Sequence, residues 1–177
     1  MKNALFKLFH CVKVILPSLT IGLFLFFFAD MPLHAQDVDQ NIDRRYDIIC
    51  EGNGVEGTYL VRVWVYANKQ NLKPEQLRKY AIHGVIFKGV TGSAKCNGQK
   101  PFAKSLSVEE ENKKYFDEFF EKKNAYLNFA TIVEGTFERV KVTKRQYKIG
   151  AVVSVSKDQL RKQLEADGII RGLSTGF

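Results

Sequence analysis

The strongest periodic signal in this chain lies at residues 58–67, where Tyr59, Leu60, Val61, Val63, Trp64, Val65 and Tyr66 are interrupted only by Arg62. β-Branched and aromatic residues at this density predict a strand. Val61, Val63 and Val65 share one face, and Leu60, Trp64 and Tyr66 share the other with Arg62. Both faces are apolar enough for a central strand. A shorter apolar run at residues 46–51 precedes it across Gly52, Asn53 and Gly54, which predicts a hairpin. Residues 129–134 and 137–143 read as two more strands around Gly135. In the second, Val140 and Val142 alternate with Arg139, Lys141 and Thr143, so one face is expected to meet solvent. Residues 147–155 place Tyr147, Ile149, Ala151, Val153 and Val155 on one face of a fifth strand.

Helical spacing fills the interval between these strands. Pro74 suits a first helical turn, and Leu77, Ala81, Gly84 and Val85 follow at helical period, backed by Tyr80, Ile82 and Ile86. This helix should be buried, with Ala81 and Gly84 allowing close approach to the sheet. Residues 89–101 form a long loop. Ser107 and Glu110 match a capping box with Ser107 as N-cap. The helix behind it carries Tyr115, Phe116, Phe119 and Phe120 along one side, a stripe that reads as core. In the last helix Ser156 is the expected cap, Gln159 its partner, Leu160 and Leu164 the seam, and Gly168 the C′ residue. Strands grouped before and after helices predict an α+β fold: one domain over residues 46–177, a mixed or mainly antiparallel sheet with about three helices packed on it.

The N-terminal 35 residues follow a different pattern. Lys2, Lys7 and Lys13 precede an uncharged run, residues 14–29, and Ala35 closes the segment before polar Gln36. That order is the pattern of a secretory signal peptide cleaved near Ala35. Sixteen helical residues span roughly 24 Å against the roughly 30 Å of a bilayer core, and Pro17 weakens the helix. A retained membrane anchor is the alternative reading. Residues 36–45 then form a polar, flexible lead-in. Beyond residue 35 the chain holds 24 basic and 18 acidic residues, a net charge of +6.

An exported chain meets an oxidising compartment, which gives its cysteines meaning. Only Cys50 and Cys96 remain after the leader, and they are most simply a disulfide closing roughly 47 residues. Two separate buried thiols are the alternative. Neither cysteine has a Cys-x-x-Cys partner, and two distant thiols do not make a metal site.

Candidate chemistry is sparse. His83 is the only histidine after the leader, and no nearby nucleophile or orienting acid accompanies it. It reads as a satisfied histidine of core or surface. The glycines at 52, 54 and 57 lack the following helix and lysine of a nucleotide loop, so a turn or bulge is expected. Glu109, Glu110 and Glu111 complement a helix dipole without further chemistry. No catalytic, cofactor-binding or metal-binding set is identified. Lys141, Lys144, Arg145 and Lys148, with Arg161, Lys162 and Arg171 downstream, form the densest basic region. They could meet a polyanion or an anionic membrane surface, or they could simply be a solvated strand edge and helix face.

The segments Tyr80-Ala81-Ile82-His83-Gly84-Val85-Ile86, 130–134 and 147–155 resemble, in order and pattern, a small exported α+β domain. It occurs in membrane-associated lipoproteins of Gram-negative bacteria and as the N-terminal domain of flagellar assembly protein T. The likeness covers roughly residues 59–170, and this chain lacks the lipid-attachment cysteine of the lipoproteins. The resemblance implies a non-enzymatic envelope role in assembly or binding. The expected protein is therefore exported and non-catalytic, periplasmic, outer-membrane-associated or secreted. Its partner would be an envelope protein or an anionic surface, and export disfavours nucleic acid. A hydrolase built on Asp or Glu and an N-terminally anchored subunit are the rival readings.

Overall fold

The computed structural model describes residues 45–68 and 71–172. The leader, nearly all of the lead-in and the last five residues lie outside the described residues. Two long strands, β1 (Tyr46–Asn53) and β2 (Tyr59–Ala67), form the expected hairpin, with a bulge between Cys50 and Gly52. β3 (Ala130–Ile132), β4 (Glu138–Lys141) and β5 (Tyr147–Val155) follow. The sheet order is β1-β2-β5-β3, with β4 also on β5, and every pairing is antiparallel. β5 is long enough to seat two short neighbours on one side. Ala130 faces Val155 at one end and Lys141 faces Tyr147 at the other. β2 is central, as its two apolar faces require.

One face of this sheet carries the helices. Val61, Val63, Ala151 and Val153 are fully buried beneath α1 (Pro74–His83), which contributes Leu77, Ala81 and Ile82. Gly84 continues α1 into one π-helical turn, Gly84–Lys88. A Cβ at Gly84 would stand 2.9 Å from Ile48 Cδ1 and 3.3 Å from Tyr46 Cε2, so only glycine lets this helix lie so close to β1. Arg78 ties the same helix to the entry of β3 by donating to the carbonyls of Ala130 and Leu127, both at 2.6 Å.

Two helix-capping expectations are corrected. Ser107 lies inside the first turn of α2 (Ser107–Glu111), because Leu106 before it already has helical angles. The Ser107 hydroxyl bonds that of Ser105 at 2.6 Å. The aromatic helix is also not continuous. Asn112, at φ −112° and ψ 30°, separates α2 from α3 (Lys113–Asp117), and α3 runs on with helical angles into a π turn at Glu118–Lys122. Phe116, Phe119 and Phe120 are nevertheless core. At α4 (Lys157–Ala166), Ser156 holds the cap position but its side chain makes no cap bond; its carbonyl accepts from Leu160 N at 2.9 Å. Gly168 takes the expected left-handed conformation, at φ 72°.

The two edges of the sheet are treated differently. Thr91 lies alongside β1, accepting from Cys50 N and donating to Ile48 O, and Lys88 Nζ donates to Tyr46 O at 2.7 Å. The Cys50–Cys96 disulfide fastens this loop to β1, with 5.9 Å between the Cα atoms. Among the described residues β4 ladders with β5 only, and it forms the opposite edge.

Candidate functional site

β4 and β5 are joined by a tight turn in which Val142 N and Thr143 N both donate to Gln146 O, at 2.9 and 3.1 Å. All four residues of β4 are exposed. This corrects the expectation that only one face of the strand meets solvent. α1 packs across β2, β3 and β5, and the helical layer leaves both faces of β4 open. Val133, Phe137, Val140 and Val142 are 36 %, 41 %, 51 % and 49 % exposed. They are four of the six exposed large apolar side chains among the described residues. Monomeric domains rarely leave clustered apolar surface in water without a use for it.

The same segment concentrates cations. Lys141, Lys144 and Arg145 stand exposed at the turn, and Arg139 is exposed along β4 with its guanidinium 5.9 Å from the Phe137 ring centre. Among the described residues, none of these four has a carboxylate within ion-pair distance. Lys148 differs from them. Its Nζ lies 4.7 Å from the centre of the Trp64 ring and 5.6 Å from that of Tyr66, a cation–π arrangement on the helix-free face of the sheet. The structure therefore gathers Lys141, Lys144 and Arg145 at one tip, with Lys148 behind them. It does not bring Arg161 and Lys162 there. α4 begins beyond the far end of β5, roughly 25 Å along the strand, and Arg161 is engaged by Glu165 at 2.9 Å and stacks 5.2 Å from the Phe102 ring centre.

A polar strip stiffens the face behind the hairpin. Arg62 on β2 donates from Nε to Glu51 on β1 at 3.0 Å and from Nη1 to Glu138 on β4 at 2.6 Å, and Lys95 of the disulfide loop also binds Glu51. The Arg62 hydrogen bond first, and the Lys95 bond second, hold the Glu51 carboxyl below its ordinary value of 4.5. A depressed carboxyl stabilises the folded state above its unfolded pKa, and that contribution is lost as pH falls through the folded value. Stability should thus be level above about pH 5 and decline below the ordinary carboxylate value. Urea titrations of the parent and Glu51→Gln from pH 3 to pH 7 check this; equal slopes in the acid range would contradict it.

His83 is 2 % exposed and bridges β1, α1 and α2. The Tyr46 hydroxyl lies 2.5 Å from Nδ1, and Glu109 Oε1 lies 3.2 Å from Nε2. The Phe87 and Phe120 rings pack beside it at 4.9 and 6.1 Å. A hydrogen on Nε2 satisfies both bonds, so the histidine is a buried strut among aromatic rings. Glu109 is part of this contact as well as of the acidic first turn of α2. Nothing in local spacing linked residues 46, 83 and 109. The exposed Phe137 was equally hidden in sequence, where it reads as an ordinary strand residue. Among the described residues, no group of three or more histidine, cysteine or acidic side chains is placed to hold a metal, and no helix is long and apolar enough to cross a membrane.

No protein-family model, no curated protein and no solved structure matches this chain significantly.

Proposed function

We propose that this chain is an exported, non-catalytic module that binds a component of the cell envelope through the β4–β5 hairpin. The observation that carries the reading is the coincidence, on one hairpin, of three exposed apolar side chains, Phe137, Val140 and Val142, with four exposed cations outside any ion pair among the described residues. A purely protective edge needs charge alone; it does not need Phe137, Val140 and Val142 in water beside that charge. Export is supported by the signal-peptide pattern of the leader and by the Cys50–Cys96 disulfide. The resemblance to exported envelope domains points the same way.

Crosslinking the tagged chain in its native envelope, followed by mass spectrometry of what it captures, tests the reading. A specific envelope component is expected, and the combined variant Lys141→Glu, Lys144→Glu, Arg145→Glu is expected to lose it while melting like the parent, because all three side chains are exposed. Capture that survives the charge reversal would remove the hairpin from the function.

A further inference from the structure

We infer that the component met by the β4–β5 hairpin is the anionic phospholipid surface of a membrane, an inference that rests on the envelope-binding reading above. The first argument is geometric. Successive side chains of a strand point to opposite faces, so Val140 and Val142 project to one side of the hairpin while Arg139 and Lys141 project to the other. Val140 and Val142 therefore lie on the same side as the Lys148, Trp64 and Tyr66 stack, while Arg139 and Lys141 lie on the reverse together with Phe137. A membrane interface approached edge-on receives both rows at once.

The second argument is the sign and placement of the charge. From Phe137 to Lys148 the chain carries five basic residues and one acid, and that acid, Glu138, is paired with Arg62. Lys144 and Arg145 stand in the turn, past the end of β4. A polypeptide strand added along β4 would reach Arg139 and Lys141 but would end before the turn. A continuous anionic surface reaches all four cations without any register to satisfy. Lys and Arg can lay their aliphatic stems against acyl chains while keeping their charge among phosphates, and Phe137, Val140 and Val142 supply the apolar share at the headgroup boundary.

Vesicle co-sedimentation tests the inference, using the chain as cells process it, with its N terminus read by intact mass and identical in every variant. The probes are phosphatidylcholine vesicles with and without about 30 % phosphatidylglycerol. Each cation near such a surface strengthens partition about fivefold, so the Lys141→Glu, Lys144→Glu, Arg145→Glu variant should bind the anionic vesicles at least about a hundredfold more weakly. Binding by the parent should also fall as salt is raised from about 0.05 to 0.5 M, a measurement that needs no variant. Val140→Thr, Val142→Thr should weaken binding to anionic vesicles while leaving its salt dependence in place. Equal parental binding to neutral and anionic vesicles, or a charge-reversed variant that binds like the parent, would overturn the inference. No vesicle binding, together with a protein crosslink that charge reversal abolishes, would also overturn it and leave the envelope-binding reading standing with a protein partner. Loss of both would remove both.

Discussion

Replacing Cys96 by serine is expected to lower the unfolding free energy by about 4 kcal/mol, in the chain-entropy account of cross-links. For a domain of this size the melting temperature should fall by roughly 10–20 °C. The bridge spans 46 positions of sequence, so its removal frees a long loop in the unfolded chain. It also holds the segment at Thr91 against β1 and brings Lys95 to Glu51, so the edge of the sheet loses its cover when the bridge is gone. Cys50 is almost fully buried and remains in place as a small thiol, so little of the loss should come from a cavity. Thermal scans of the parent and the variant under oxidising conditions measure the effect, and reduction of the parent should reproduce it. An unchanged melting temperature would show that the bridge contributes no stability.

Gly150→Ala is expected to cost about 2–3 kcal/mol, although alanine is ordinarily the better strand residue. Gly150 pairs directly with Trp64 across the β2–β5 ladder. A Cβ there would lie 2.4 Å from Val63 O and 2.5 Å from Trp64 Cε3. The carbonyl belongs to the central strand of the sheet, and the indole is held by two cations, Lys148 at 4.7 Å and Arg62 at 5.7 Å from its centre. Neither can yield cheaply, so overpacking outweighs the backbone gain. Trp64 is the only tryptophan in the chain, which makes its fluorescence a direct report on the ring. Chemical denaturation should show the lost stability, and the emission should shift as the indole lifts into water. A variant of parental stability and parental emission would show that the ring does not rest on Gly150.

These two effects start from opposite faces of the sheet: Cys50 is paired with Val61 on the buried helical face, and Gly150 with Trp64 on the helix-free face. Trp64 and Arg62 connect the stapled edge at β1 to the exposed edge at β4, since Arg62 binds both Glu51 and Glu138. A binding hairpin mounted on this strip is tied at β4 by the Arg62–Glu138 pair, and its other strand, β5, is the one packed under the helical layer. Its register is fixed, and only its side chains are left to meet a partner.

Much of the fold was legible in the sequence. The alternating Val61, Val63 and Val65 faced the core because a strand has a period of two and one face of this sheet is buried under helices. Gly84 could be read as a point of close approach because an apolar helix with a glycine has few other uses for it, and Ile48 and Tyr46 occupy the space its side chain would need. Cys50 and Cys96 could be paired because they are the two cysteines that follow a leader of secretory pattern. These features depend on residue type and local period, which the chain carries within itself.

Capping and the candidate site were less legible, because they depend on what lies opposite. Ser107 missed its cap because the turn from Ser105 had already become helical one residue earlier. His83 found Tyr46 and Glu109 only when β1 and α2 were brought against α1, across separations of 37 and 26 residues. The run of basic residues from 141 to 171 looked continuous, but β5 carries the chain from one end of the sheet to the other and separates Arg161 from the hairpin. Sequence determined the α+β class, the core faces of the long strands and the choice of Cys50 and Cys96 as bonded or as separate thiols, since hydrophobic period and cysteine count are local quantities; the structure joins the two. Only the tertiary structure decided that β4 is an edge with both faces exposed and that Lys141, Lys144 and Arg145 share one tip with Val140 and Val142. Exposure belongs to the neighbours a strand lacks, and those are set by the packing of the other elements.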